Sequence, residues 1–156
     1  MSLGLVTIAE RPDLVEQVAR WTWEAWGRAQ GETLAERTRA IAGRTARLGL
    51  EQCFVALIDG TPAGTASLVA RDTEARPDLS PWLASVYVAQ HFRAAGIAPV
   101  LVKAVESAAW RAGFARLWLF TDGQVPLYVS LGWVEHGVLH DHGRPYVLMR
   151  RDRRAG

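Results

Sequence analysis

The stretch that most constrains this chain runs from Ser85 to Arg111, SVYVAQHFRAAGIAPVLVKAVESAAWR. It reads as a strand, a turn of small residues and an amphipathic helix. Val86, Tyr87 and Val88 are apolar and favour a pleated, buried strand. The turn carries small side chains at Ala94, Ala95, Gly96 and Ala98, so an outside group can approach its backbone. Leu101, Ala104, Val105 and Ala108 then repeat at helical spacing, which fixes one face of the helix against a sheet and holds its N-terminus in place.

Such a junction offers unpaired amide N–H groups and the positive end of a helix dipole. Charge-assisted hydrogen bonds contribute about 1.5–3 kcal/mol each, so three or four would hold a pyrophosphate without a lysine. A plain tight turn between strand and helix accounts for the same residues. Other phosphate loops fail. No Gly-Lys-Ser/Thr occurs, which removes a Walker loop. A dinucleotide fingerprint needs three glycines and an acidic residue about twenty positions on. That count from Gly96 ends near Arg116, with no Asp or Glu close by.

The bulk properties fit one soluble domain. A chain of 156 residues can bury roughly 68–70% of its unfolded surface. Net charge is only +2, and much of the arginine excess sits in Arg150-Arg151-Asp152-Arg153-Arg154, which reads as a solvated basic tail over 150–156. No basic stripe interleaved with aromatics accompanies it, so nucleic acid is not an expected partner. The single cysteine, Cys53, excludes an internal disulfide or a thiolate cluster and suits a reducing cytoplasm. The opening MSLGLVTIAERPD lacks a basic n-region, so no signal peptide is expected. Lys103 and Glu106 interrupt the most apolar helix, so no membrane span is expected either.

Taken in order, Leu5 to Ala9 is a first strand and Pro12 suits a helix start. Leu14, Val18, Trp21 and Ala25 share one face of that helix, which stops near Gly27; Trp23 and Trp26 point to a second surface. A second helix is predicted from Thr33 to Leu48, with Leu34, Ile41 and Leu48 seven apart. Gln52–Ile58 and 63–70 form a hairpin about Asp59-Gly60. A polar loop, 71–78, leads through Ser80-Pro81 to the central strand and helix. Gly113 ends that helix, 115–121 is a buried strand, and a short helix over about 124–131 closes at Gly132. Strands over 133–138 and 146–150 make a last antiparallel pair across His140-Asp141-His142-Gly143-Arg144. The expected order is β-α-α-β-β-β-α-β-α-β-β, one domain over 1–156.

Arg93-x-x-Gly96-x-Ala98 after the strand WLASVYV resembles the Arg/Gln-x-x-Gly-x-Gly/Ala motif of the GNAT family of N-acetyltransferases. Leu127-Tyr128-Val129-Ser130-Leu131-Gly132-Trp133 is similar to that family's Leu-Tyr-x-x-Leu-Gly-Phe/Trp segment, and the two occur in the family's order and spacing. The resemblance implies an α/β (α+β) fold: a mixed, mostly antiparallel central sheet with a splayed pair of parallel strands and flanking helices. It implies acetyl-CoA as co-substrate, and no metal is expected. Val86 and Val88 would offer main-chain groups to pantetheine. Arg93, Ala94, Ala95, Gly96, Ile97 and Ala98 would hold the pyrophosphate, any nest being complete before Pro99, which has no N–H. Thr121 stands where the family often has Asn, so one cofactor hydrogen bond is changed or absent.

Tyr128 is the catalytic candidate the resemblance implies. Expulsion of a thiolate benefits from a hydrogen-bond donor at sulfur. With reference pKa values of about 10 and 8.5, full transfer from phenol to thiolate is uphill by roughly 2 kcal/mol, so hydrogen bonding is the easier role. The acceptor amine must also lose a proton, at a cost of roughly 4.6 kcal/mol at pH 7 for an alkylamine. Asp72, Glu74, Asp78 and Glu24 are candidate bases, and Ser85 or a backbone carbonyl ordering a water competes with them. By resemblance, Trp23, Trp26, Trp82 and Tyr146 would wall the acceptor pocket, with Asp72 facing it. His136, His140 and His142 lack the convergent partners a zinc site needs. The expected partner is a small-molecule or peptide amine; a homodimer stays open, dimers being common in the family. A module that binds acyl-CoA without turnover is the alternative, motivated by the lack of an obvious base.

Overall fold

The computed structural model describes residues 2–154; Met1 and the last two residues of the expected tail lie outside it. Its seven strands form one sheet in the order β1-β2-β3-β4-β5-β7-β6, with β1 Leu3–Thr7, β2 Gln52–Ile58, β3 Thr61–Val69, β4 Trp82–Val88, β5 Arg116–Thr121, β6 Val134–Asp141 and β7 Arg144–Asp152. Every neighbouring pair is antiparallel except β4 with β5. The mixed sheet and its parallel step agree with the expected fold. Helices α1 (Val15–Thr22), α2 (Leu34–Ala42), α3 (Ile97–Arg111) and α4 (Val125–Ser130) flank it.

Strand alternation divides the core. Side chains on a strand point to opposite faces in turn. Phe54, Ala56 and Ile58 of β2 pack with Leu101, Val102 and Val105 of α3, while Cys53, Val55 and Leu57 pack with Val18 of α1 and Ile41 of α2. All of β2 is therefore buried. Each large apolar side chain so enclosed contributes about 1.5–3 kcal/mol, which anchors α3 firmly enough to hold its N-terminus over the sheet. The β2–β3 turn has φ of 50° at Asp59 and 82° at Gly60, the left-handed pair that the Asp-Gly dipeptide favours.

Several boundaries differ from the sequence reading. The buried face of α1 is Leu14, Val18, Ala19 and Thr22, whereas Trp21 is half-exposed and Ala25 exposed. The chain continues from α1 through a π turn, Trp23–Gly27, whose extra residue per turn rotates the segment beyond it. Helix α2 ends at Gly43, not near Leu48. A capping box starts it, with Glu36 N–H donating to Thr33 Oγ1 at 3.0 Å and Thr33 N–H to Glu36 Oε1 at 3.0 Å. Beyond the Gly43 cap Thr45 bridges to Gln52, and Leu48 is 70% exposed. Strands β6 and β7 run longer than expected, to a two-residue turn with φ of 49° at His142 and 75° at Gly143.

The basic tail also needs correction. Arg150, Arg151 and Asp152 complete β7 opposite β5. Arg151 donates to the Gly132 carbonyl at 2.7 Å, and Arg116 pairs with Asp152 at 2.7 Å. Arg151 and Arg116 are structural, because the folded sheet brings an acceptor to each guanidinium.

Gly64 on β3 lies under the start of α3. A Cβ there would stand 2.8 Å from the Tyr87 carbonyl oxygen, 3.1 Å from Leu101 Cδ1 and 3.3 Å from Ile97 Cγ2. Gly64→Ala should therefore destabilise the protein by about 1–3 kcal/mol, as overpacking does. Chemical denaturation of the two proteins side by side checks this, and an equal midpoint would contradict it.

Candidate active site

Strands β4 and β5 part almost as soon as they meet. Their ladder holds one paired position, Trp82 with Trp118, supported by Trp118 N–H donating to the Pro81 carbonyl at 3.1 Å. Beyond it β4 diverges. Against β3 its register moves from Ser67 opposite Ala84 to Thr65 opposite Tyr87, so β4 carries one extra residue. Ser85 sits in that bulge at φ 58°. A bulge bends its strand and adds local twist, which carries Val86 to Val88 away from β5. The wedge opens into a cleft of about 1620 Å³ lined by both strands, the start of α3, α4, the 71–75 loop and the β6–β7 hairpin.

At the head of the cleft, Gly96 caps α3 with φ 74°, and Ala94 also adopts a left-handed conformation at φ 69°. Among the described residues, the N–H groups of Ala94, Gly96, Ile97 and Ala98 have no protein acceptor. Two members of the expected nest are engaged elsewhere. Ala95 N–H donates to the Phe92 carbonyl at 3.3 Å and Ala95 does not line the cleft, while Arg93 N–H reaches the Gln90 carbonyl at 3.4 Å. The Arg93 side chain instead donates through Nε to the Val88 carbonyl at 3.0 Å, with its guanidinium 5.8 Å from the Tyr87 ring centre. The amides left free, at a helix N-terminus, suit a diphosphate.

Tyr128 comes from α4 and lines the cleft opposite β4. It is 6% exposed and packs edge-on against Trp133 with ring centres 6.0 Å apart. Trp133 is held in turn by Glu106 of α3, whose Oε2 accepts from its indole N–H at 2.9 Å. Burial pushes the Glu106 pKa upward, an effect the Trp133 hydrogen bond and the Arg151 charge oppose. Burial also pushes Tyr128 up to about 12, so its phenol stays protonated and remains a donor through the neutral range. Thr121 lines the cleft at the end of β5, where its hydroxyl accepts from Gln124 N–H at 3.2 Å and helps start α4.

The predicted tryptophans divide. Trp26 does line the cleft, edge-on to Tyr87 with centres 6.5 Å apart. Trp23 does not. Its indole N–H donates to the Glu32 carbonyl at 2.7 Å and Arg28 covers its face at 4.4 Å. Trp82 is fully buried, with its N–H on the Leu79 carbonyl at 2.9 Å, and it supports Phe120 from behind. Its indole is a core group because β4 begins in the closed part of the sheet. Phe120 and Tyr146 take the lining role, edge-to-face at 5.1 Å. Among the described residues, no three His, Cys, Asp or Glu side chains converge as metal ligands. No described helix is long and apolar enough to cross a membrane.

Of the candidate bases, Asp78 is exposed and paired with Arg76, and Glu24 is exposed and absent from the cleft wall. Glu74 lines the rim. Asp72 is half-buried within it, and loss of water pushes its pKa up to about 7; Arg44 pulls it back and Asp141 adds to the rise. The loop is latched in place, since Thr73 donates to Asp141 Oδ1 at 2.7 Å across to the hairpin.

One lining residue had no place in the sequence reading. Arg44, just past the Gly43 cap of α2, turns inward and is only 9% exposed. Its Nη1 donates to Ser67 Oγ at 3.0 Å and to the bulge residue Ser85 at 3.4 Å. A helix running on to Leu48 would have hidden it among surface arginines; the glycine at position 43 was the available signal.

A sequence model of the Acetyltransferase (GNAT) family matches residues 15–133. The chain belongs to that family and is an N-acetyltransferase. No curated protein sequence matches it. Among solved structures, an aminoglycoside 6'-N-acetyltransferase complexed with coenzyme A superposes with a TM-score of 0.75 at 16% identity, covering 100% of both chains. An aminoglycoside 6'-acetyltransferase type Ii gives 0.72 at 18% identity over 97% of each chain. The paia N-acetyltransferase from Thermoplasma acidophilum, in complex with coenzyme A, gives 0.70 at 17% identity, covering 98% of this chain and 100% of its own. At these identities the likeness establishes the fold.

Gly96 meets no atom within 4 Å of a built Cβ, so only its backbone conformation demands glycine. Gly96→Ala should cost about 1–2 kcal/mol through left-handed strain, and Gly96→Asn, which tolerates that region, less. Urea unfolding of the three proteins reads the ranking; equal stabilities would refute it.

Proposed function

We propose that this cleft transfers an acetyl group from acetyl-CoA to a primary amine by direct attack, without an acyl-enzyme. The observation that carries the reading is the single-rung contact between β4 and β5, which opens beside the free amides of Ala94, Gly96, Ile97 and Ala98. Unpaired strand edges need partners, and the pantetheine amides fit the edge of Val86 and Val88. The diphosphate fits the α3 N-terminus. Acetyl-CoA supplies the thioester carbonyl that the amine attacks.

Attack forms the N–C bond and breaks the C–S bond, so nitrogen sheds a proton and sulfur leaves with the electron pair. Asp72 receives the proton. Its pKa of about 7 places the carboxylate where a base is both available and strong enough to act near neutrality. Tyr128 donates a hydrogen bond to the leaving sulfur. Its phenol lies well above a thiol's pKa of about 8.5, so it stabilises thiolate without surrendering the proton. Trp26, Phe120 and Tyr146 give the acceptor apolar walls. Asp72 also supplies the base whose lack motivated a turnover-free binding module.

Two measurements test this. Tyr128→Phe should lower kcat by about 10–100-fold with little change in KM for acetyl-CoA, since one transition-state donor is lost. Unchanged kcat would remove Tyr128 from the mechanism. The ionised form of Asp72 is the base, so kcat/KM should rise with pH through about 7. Asp72→Asn should abolish that limb, and an identical limb in the variant would assign it elsewhere.

A further inference from the structure

Arg44 is a buried cation with no direct ion pair, and the charges of Asp72 and Glu51 reach it only from beyond contact distance. Among the described residues, no carboxylate oxygen lies within ion-pair distance of its guanidinium, and its only partners are the hydroxyls of Ser67 and Ser85. Both hydroxyls engage Nη1. Among the described residues Nε and Nη2 have no protein acceptor, and Arg44 is part of the cleft wall. Neighbouring Arg37, by contrast, has an ion pair with Glu32 through its Nε. A desolvated guanidinium with a free edge is costly unless something completes it. That edge is a planar fork whose two parallel N–H donors match one carboxylate.

The position matters as much as the charge. Ser85 forms the bulge that parts β4 from β5, so Arg44 is tied to the point where the cleft opens. Asp72 lines the same cleft and feels the Arg44 charge. An acceptor lying between them meets a proton-accepting carboxylate and a fixed cation. A polycation satisfies only the first; an amino-carboxylate satisfies both.

We propose that the acceptor is a primary amine bearing a carboxylate, such as a free amino acid, whose carboxylate binds the Nε–Nη2 edge of Arg44. This rests on the acetyl-transfer reading above and names its substrate class. It departs from what the aminoglycoside neighbours act on.

The test measures CoA release from acetyl-CoA with L-amino acids, each beside its decarboxylated amine (phenylalanine with phenethylamine, tryptophan with tryptamine, glutamate with γ-aminobutyrate as an acid-retaining control). Kanamycin and spermidine represent polycations. The expected result is a kcat/KM at least tenfold higher for some amino acids than for the amines lacking the α-carboxylate, a preference that Arg44→Gln reduces to within about threefold of unity and Arg44→Lys restores in part. The wild-type comparison stands even if a variant fails to fold. CoA release that ignores the carboxylate, or that is fastest with kanamycin or spermidine, overturns this inference and leaves acetyl transfer intact. No CoA release with any amine overturns both.

Discussion

The structure depends on the parting of two parallel strands. Trp82 and Trp118 close the sheet at one end, and from there β4 and β5 separate. A parallel pair left half-zipped forfeits backbone hydrogen bonds, and buried amides without partners are expensive. Two features sustain the opening. The extra residue at Ser85 turns β4 away, and Gly64 lets α3 settle against β3 closely enough to keep its N-terminus at the mouth of the gap. The forfeited bonds leave backbone groups of both strands facing the cleft.

Around that wedge the charges are arranged for opposite tasks. One end has main-chain donors without a protein acceptor, beside Arg93, whose Nε donates to the Val88 carbonyl. The other end places Asp72, held near neutral pKa by burial, in the same space as Arg44. Tyr128, in the wall of the same cleft, stays protonated because it is enclosed. Its support is a chain of contacts through Trp133 to Glu106, so the helix that presents the amides also steadies the phenol.

The motif segments were legible because their structure is local. A small-residue turn into an amphipathic helix, and a short helix closed by glycine, arise from neighbours in sequence. Trp23 and Trp82 were misplaced for a complementary reason: an indole serves a wall or a core equally well, and only the packing around it decides. Ala95 and the Arg93 amide looked available until the chain folded back to Phe92 and Gln90. Arg44 was invisible, since seven-residue spacing through Leu48 extended a helix that Gly43 ends.

By itself the sequence determined the order of strands and helices, the turn at Asp59-Gly60, the glycine-capped start of α3 and the tyrosine segment beyond it. Periodicity and backbone preference act over a few residues and need no distant partner. Tertiary structure alone decided how far β4 and β5 separate, which aromatics face the cleft, that Arg150 and Arg151 belong to a strand, and that Asp72 and Arg44 share one space. Those outcomes depend on desolvation and on contacts between residues far apart in the chain, quantities that no local pattern records.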